Sequence, residues 1–162
     1  MARELWPGAR RLRWRGVTDA VMGGVSRAEV SEENILGRDA VRLRGRVSTE
    51  NNGGFVQIAL DLDAGGGTLD ARACSGVAID VWGNGEAYGA HLRTTAMWRP
   101  QQSYRQAFVA TGAWQSLRLP FADFTAHRID VPLDVARLRR IGLVAIGREF
   151  EADLAIARLA LY

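Results

Sequence analysis

The chain has 162 residues, 48% of them hydrophobic, which is enough to bury one globular core without disulfides or metals. Its formal net charge is +3, and every one of its 21 Lys/Arg positions is an arginine. No run approaches the roughly 20 apolar residues of a membrane helix, and the arginine-rich start lacks the apolar segment of a secretory signal. We therefore expect one cytoplasmic domain over residues 1–162 that neither spans a membrane nor binds nucleic acid.

Eight short runs rich in β-branched or aromatic residues follow one another along the chain. They cover residues 41–47, 55–62, 76–82, 88–94, 104–111, 115–120, 141–146 and 154–161. Turn-forming residues separate them, most clearly at 65–67, 83–85 and 112. No segment of about 12 residues has convincing helical periodicity, although Asp134 can start a single turn. Short strands at this spacing, without helices between them, predict an all-β antiparallel sandwich or barrel.

Alternation within these runs places polar side chains on one face of the predicted sheet. The residues that we assign to this surface are Gln57, His91, Arg93 and Gln106. The simplest interpretation is an ordinary solvated sheet face. The alternative is a groove for a sugar or a peptide, with Trp98 and Tyr104 as stacking platforms beside it.

Residues that metal binding and nucleophilic catalysis require are scarce in this chain. Two separated histidines and the single Cys74 do not have the ligand spacing of a zinc site. No serine lies in a G-x-S-x-G turn, and the glycines at 65–67 lack the Lys-Ser/Thr ending of a phosphate loop. Asp61 and Asp63 fit a turn better than a catalytic carboxylate pair. The sequence thus predicts no catalytic residues, no metal site and no cofactor.

Two glycine-paired segments do not fit a strand pattern. The first is VTDAVMGGVS at residues 17–26, and the second is STENNGGF at residues 48–55. Paired glycines permit positive φ and a close approach of two backbones. We expect Asp19 and Asn52 to cap backbone amides, with Met22 buried beneath the loops. The candidate ligand- or partner-binding residues of these segments are Asp19, Met22, Gly23, Gly24, Ser26, Asn51, Asn52, Gly53 and Gly54.

The succession of these segments resembles the family of complex I intermediate-associated proteins. The two glycine-paired segments are similar to the family's signature, and the similarity continues through GVAIDVWGNG at 76–85 and AWQSLRLPFADF at 113–124. It extends from about residue 6 to residue 161. The resemblance implies a jelly-roll β-sandwich of the galactose-binding-domain-like type, close in architecture to some carbohydrate-binding modules. Family members act as assembly chaperones of respiratory complex I, not as redox enzymes.

These observations lead to three functional hypotheses. The resemblance implies a non-catalytic binding module with a protein partner, such as a subunit of a respiratory complex. The sandwich class and the polar face favour a carbohydrate-binding module as the alternative. An enzyme that uses Asp19, His91 or Arg93 in an unfamiliar arrangement is the third. In each case we expect the ligand beside the glycine-paired segments, near Gln57 and Arg93.

Overall fold

The computed structural model describes residues 3–8 and 12–162, apart from the side chains of Val21, Met22 and Asn52. The described residues form the strands β1 Arg3–Trp6, β2 Trp14–Thr18, β3 Arg27–Ile35, β4 Arg38–Val47, β5 Phe55–Asp61, β6 Gly76–Gly83, β7 Ala87–Thr94, β8 Ser103–Val109, β9 Gln115–Pro120, β10 Thr125–His127, β11 Leu138–Ile146 and β12 Phe150–Leu161. Single turns of 3-10 helix lie at Asp19–Met22, Glu50–Asn52, Phe121–Asp123 and Val135–Arg137. Across these ranges no helix is long and apolar enough to cross a membrane.

The strands form two antiparallel sheets. The first sheet has the order β3-β4-β12-β6-β9, and β1 pairs with the C-terminal end of β12. The second has the order β10-β8-β7-β11-β5-β2. Several neighbouring strands are distant in sequence, as in β12 between β4 and β6, so the chain crosses between the sheets repeatedly. This two-layer arrangement confirms the predicted all-β sandwich.

The core lies between the sheets and follows directly from the alternation of the sequence. Successive side chains of a strand point to opposite faces, so every second residue of a central strand faces the other sheet. Ile58 and Leu143 of the second sheet and Leu43, Ile79 and Leu154 of the first have no exposed surface. Burying a side chain of this size stabilises the fold by about 1.5–3 kcal/mol. The alternating apolar positions therefore fix which residues face outward.

All eight predicted runs overlap observed strands, and the single turn predicted after Asp134 is confirmed. The Asp134 side chain accepts a hydrogen bond from the amide of Ala136 at the start of that turn. The eight runs do not include β1, β2, β3 or β10. Strand β3 is an edge strand in which only Ile35 is fully buried, so its sequence lacks an apolar alternation. Strand β10 has three residues, which is too short to show a pattern.

The pairing register of the second sheet brings outward-facing residues of separate strands side by side. Gly142 of β11 lies opposite both Ala59 of β5 and His91 of β7. One step along, Arg140 lies opposite both Asp61 and Arg93. Residues that are paired in this way point to the same face of the sheet. The outer surface of the second sheet therefore carries a charged row of Asp61, Arg140 and Arg93 next to the row that contains His91.

Candidate functional site

A cleft of about 320 Å³ lies on the outer face of the second sheet. Its base is formed by β2, β5, β7 and β11, and the loop between β7 and β8 forms one wall. The lining residues are Arg15, Val17, Phe55, Gln57, His91, Arg93, Trp98, Pro100, Ser103, Arg140 and Gly142. A smaller cavity of about 150 Å³ adjoins it, because Arg93 and Arg140 line both. The cleft combines aromatic and polar side chains on this sheet face.

Glycines in the base of the cleft leave room for two polar side chains that lie along the sheet. A Cβ at Gly142 would be 2.4 Å from Oε1 of Gln57, and a Cβ at Gly89 would be 3.0 Å from Nε2 of His91. Neither distance is sterically tolerable without movement of the neighbour. In the part of the chain that the structure describes, Gln57 and His91 have no hydrogen-bond partner for their side chains. Their donors and acceptors are therefore available to a ligand in the cleft.

The wall of the cleft is held to the sheet by Arg93. Its Nη1 donates to the carbonyl oxygens of Gln102 at 2.7 Å, Arg99 at 3.2 Å and Pro100 at 3.3 Å. Oε1 of Gln102 accepts from the amides of Trp98 and Arg99, both at 3.1 Å. These bonds fix the backbone on both sides of the Trp98 side chain, which is 74% exposed. Arg93, which sequence reasoning treated as a ligand-binding residue, is thus occupied in positioning the loop.

His91 is a neutral imidazole at physiological pH. Burial is the main cause that lowers its pKa to about 3, and the nearby charges of Arg105, His127 and Arg93 contribute to this shift. Burial also lowers the pKa of His127, with contributions from Arg105 and Arg128. A neutral imidazole offers one donor and one acceptor. A base this weak is suited to hydrogen bonding with a ligand rather than to proton transfer near neutral pH.

One carboxylate borders the far end of the cleft. Nε of Arg140 donates to Oδ1 of Asp61 at 2.7 Å, and Nη2 of Arg15 lies 3.5 Å from the same oxygen. Partial burial opposes ionisation of Asp61, but the hydrogen bond and the charges of the two arginines lower its pKa overall. Asp61 is therefore part of an ion-pair cluster and not free to act as a general acid.

The glycine-paired segments surround a buried carboxylate instead of forming a ligand pocket. Asp19 has no exposed surface, and its Oδ1 accepts from the Ser26 amide at 3.0 Å. Its Oδ2 accepts from the Ser26 hydroxyl at 2.5 Å and from the amides of Gly54 at 2.6 Å and Phe55 at 3.2 Å. Burial opposes ionisation, but these bonds together lower the pKa of Asp19. The expectation that Asp19 caps backbone amides is confirmed.

Two glycines of these segments allow the backbone to approach the Asp19 carboxylate closely. A Cβ at Gly24 would be 2.4 Å from Cγ of Asp19, and one at Gly53 would be 2.5 Å from Oδ2. Gly23 and Asn51 have positive φ, 84° and 57°, which glycine and asparagine tolerate best. The predicted burial of Met22 and the predicted capping role of Asn52 concern side chains outside the described part of the structure. Phe55, which follows Gly54, lines the cleft, so these segments border its end.

Of the four predicted polar-face residues and the two predicted stacking platforms, four meet in the cleft and two do not. Gln57, His91, Arg93 and Trp98 line it together. The assignment of Gln106 to this surface is wrong: Gln106 lies opposite the buried Ala90, and its Nε2 donates to the Pro120 carbonyl at 3.1 Å. The neighbouring residue in β8, Arg105, faces outward instead and lies opposite His91.

Tyr104 is also not a stacking platform. It is only 2% exposed, and its hydroxyl donates to the Val131 carbonyl at 2.5 Å. It shares the inward parity of Phe108 in β8, so its ring belongs to the core. Sequence reasoning also missed Arg140 and Gly142 as cleft residues. Alternation with the buried Ile141 and Leu143 indicates that both residues face outward. The position of β11 between β5 and β7, however, cannot be read from one sequence.

Solved structures similar to this chain include carbohydrate-binding modules. The family 11 module of the cellulosomal cellulase Lic26A-Cel5E of Clostridium thermocellum has a TM-score of 0.72 at 12% identity, covering 98% of this chain and 91% of that one. The Clostridium thermocellum family 11 module in complex with a β-1,3-1,4-mixed-linked tetrasaccharide has a TM-score of 0.72 at 11% identity, covering 99% and 94%. A family 30 carbohydrate-binding module has a TM-score of 0.70 at 14% identity, covering 99% and 87%. At these identities the similarity shows the fold, and it confirms the predicted jelly-roll sandwich.

The sequence was also compared with curated proteins and with protein families. No curated protein matches it. The family described as complex I intermediate-associated protein 30 matches residues 5–156, which include both glycine-paired segments and all the cleft residues. The buried Asp19 and its ring of amides thus lie within the matched region, as does the cleft on the second sheet. The chain belongs to the complex I intermediate-associated protein 30 family.

Proposed function

We propose that this protein is a non-catalytic binding module that holds a carbohydrate chain in the cleft of the second sheet. The observation that carries the proposal is the exposed Trp98, fixed by Arg93 beside the unpaired side chains of Gln57 and His91. Sugar rings present an apolar face of C–H groups and a rim of hydroxyls. An aromatic ring and a few polar groups that can both donate and accept match these two features.

The remaining chemistry of the cleft supports binding over catalysis. None of the residues that line it is a carboxylate, so the pair of Asp or Glu groups typical of glycoside hydrolysis does not face the cleft. Similar solved structures include a module in complex with a tetrasaccharide, which supports this type of ligand for the fold. The cleft is open at the surface, which suits an extended chain better than an enclosed small molecule.

The direct test is glycan binding by the wild type and by Trp98→Ala. Loss of ring stacking costs about 1 kcal/mol, so we expect at least about fivefold weaker binding by isothermal titration calorimetry to any glycan retained on a broad array. Leu36→Ala is a matched control, because Leu36 is 72% exposed in the turn between β3 and β4, on the other sheet. An array without retained glycans, or equal binding by the two variants, would contradict the proposal.

Family membership favours a second candidate, a protein partner in the assembly of a respiratory complex. The outer face of the second sheet would then dock a segment of the partner, with Trp98 as the central aromatic anchor. Crosslinking in the native cell should recover one respiratory subunit with wild type and lose it with Trp98→Ala. Recovery of the uncrosslinked chain alone from both would exclude this candidate and leave the carbohydrate proposal intact.

A further inference from the structure

Positive charge is not balanced around the cleft, in contrast to the opposite surface of the sandwich. On the outer face of the first sheet, Arg38, Arg42, Arg44 and Arg46 each form an ion pair with a carboxylate. Three arginines line the cleft on the second sheet, and two of them, Arg15 and Arg140, share a single carboxylate, Asp61, at its end. Arg93 and Arg105 donate only to carbonyl or hydroxyl oxygens of the described residues. The outer face of the second sheet therefore has an excess of positive charge that can attract an anionic ligand.

Arg140 is arranged to hold an anionic group. Its Nε is fixed by Asp61 at 2.7 Å, while Nη1 and Nη2 have no partner among the described residues. The side chain is 35% exposed, so these two nitrogens can be reached from the cleft. A guanidinium with free terminal nitrogens binds a carboxylate or a sulfate through two parallel hydrogen bonds. Asp61 thus orients the guanidinium and leaves its outer edge for a ligand.

A second positive charge lies on the aromatic platform itself. The guanidinium carbon of Arg99 is 4.3 Å from the centroid of the Trp98 ring. This guanidinium covers one face of the ring, so a sugar would stack on the other face with the positive charge across the ring from it. Arg99 belongs to the loop between β7 and β8, whereas Arg140 belongs to the sheet, so the two charges lie on different sides of the proposed site.

We propose that the cleft selects an anionic polysaccharide, one that carries carboxylate or sulfate groups, and that Arg140 binds the anionic group while Trp98 stacks on the sugar. This inference rests on the proposed carbohydrate-binding function and adds the chemical class of the ligand. An acidic polypeptide offers the same charge. It lacks the flat face of C–H groups that can stack on an exposed tryptophan ring. The observations therefore favour the polysaccharide.

The test compares glycans that differ only in charge. The probes are an α-1,4-linked oligogalacturonate with its methyl ester, dextran sulfate with dextran, and poly-L-glutamate as the polypeptide. We expect at least one acidic glycan to bind about tenfold more tightly than its neutral counterpart, measured by calorimetry. Its affinity should fall as NaCl is raised from about 50 to about 300 mM, a measurement on the wild type that needs no variant.

Matched variants locate the interaction. Arg140→Gln should bind the acidic glycan about tenfold more weakly and the neutral one with a smaller loss, so the ratio of the two affinities should fall. The control is Arg46→Gln on the first sheet, far from the cleft in the fold. It removes the same charge and also leaves a carboxylate, Glu151, without its ion-pair partner. We expect it to bind like wild type. An equal loss in both variants would overturn the proposal, because the attraction would then come from net charge alone.

The outcomes separate this inference from the proposed function. Equal affinity for charged and neutral members of each pair overturns the inference and leaves the carbohydrate proposal standing. Absence of binding to every glycan overturns both. Binding of poly-L-glutamate that depends on Arg140, without binding of either acidic glycan, overturns the inference in favour of an acidic polypeptide segment.

Discussion

Replacing Asp19 by Asn tests whether the buried carboxylate holds the two glycine-paired segments together. Oδ1 of Asp19 accepts from one backbone amide, and Oδ2 accepts from two others and from the Ser26 hydroxyl. An Asn side chain keeps the shape but has one acceptor oxygen and one NH₂ donor. Whichever way the amide is placed, at least one buried backbone N–H then faces a donor instead of an acceptor.

The expected loss of stability follows from that count of partners. A buried donor without an acceptor costs about 1–3 kcal/mol, and the hydrogen bonds that remain lose their charge assistance. We expect Asp19→Asn to lower the free energy of unfolding by about 3 kcal/mol. For a domain of this length that corresponds to a Tm lower by roughly 6–12 °C. Urea unfolding followed by tryptophan fluorescence measures the free energy, and an unchanged m-value would show that both proteins unfold from similar native states.

The effect should also depend on pH with a defined sign. The pKa of Asp19 in the folded protein lies below its usual value of 3.8. Its ionised form therefore contributes stability above that value, and the contribution is lost as the pH falls through the folded-state pKa. The difference between wild type and Asp19→Asn should shrink when unfolding is measured near pH 3 instead of pH 7.

A matched substitution shows whether the position matters. Asp63→Asn makes the same chemical change in an exposed turn, where the carboxylate accepts from the Gly67 amide at 2.9 Å and from no other described residue. We expect a change within about 0.5 kcal/mol there. A loss of less than about 1 kcal/mol for Asp19→Asn, or one equal to that of Asp63→Asn, would refute the role of the buried carboxylate.

Three further predictions concern the glycines, the imidazole and the loop. Gly24→Ala should lower the free energy of unfolding by at least about 2 kcal/mol, because its Cβ would collide with a buried carboxylate. Gly112→Ala is the control and should be tolerated, since no atom lies within 4 Å of its Cβ. Equal melting temperatures of the two variants would contradict this prediction. NMR titration should find His91 neutral down to about pH 4, in keeping with its pKa of about 3. The free energy of unfolding should decrease as the pH falls below about 6.5, because only the unfolded chain then takes up the proton. A titration midpoint of His91 near 6.5 would contradict this prediction. Arg93→Gln should speed hydrogen exchange at the amides of Trp98, Arg99 and Gln102 and increase the mobility of Trp98, seen as lower fluorescence anisotropy. Exchange in the first sheet should stay unchanged. Exchange that remains slow at these three amides would show that the loop does not depend on the guanidinium.

Much of the fold could be predicted from the sequence, because alternation within a strand depends only on neighbouring residues. Ile58 and Leu143 had to face a core, so their neighbours Gln57 and Gly142 had to face outward. What alternation cannot supply is which strand lies beside which. The cleft depends on β11 lying between β5 and β7, and that order is set by long-range packing. Arg140 therefore could not be placed beside His91 and Gln57 in advance.

The error at Gln106 has a different cause. Its strand contains alternating polar residues on both faces, Arg105 outward and Gln106 inward, so polarity alone does not identify the outer face. Gln106 is compatible with the inner side because its amide is satisfied by the Pro120 carbonyl at the sheet margin. Tyr104 was misplaced for the same reason, since a tyrosine can be buried when its hydroxyl finds an acceptor.

The hydrogen bonds of Asp19 connect both sheets at one end of the sandwich. Asp19 follows β2 and Gly54 precedes β5 in the second sheet, whereas Ser26 precedes β3 and Ser48 follows β4 in the first. Ser26 extends the link, because its hydroxyl also accepts from the Ser48 amide at 2.8 Å. The carboxylate thus performs the cross-linking task that a disulfide performs in many small β-sandwiches, in a chain with a single cysteine. Such a cross-link needs no oxidant to form and no reductant can break it; acid is the agent to which it is sensitive.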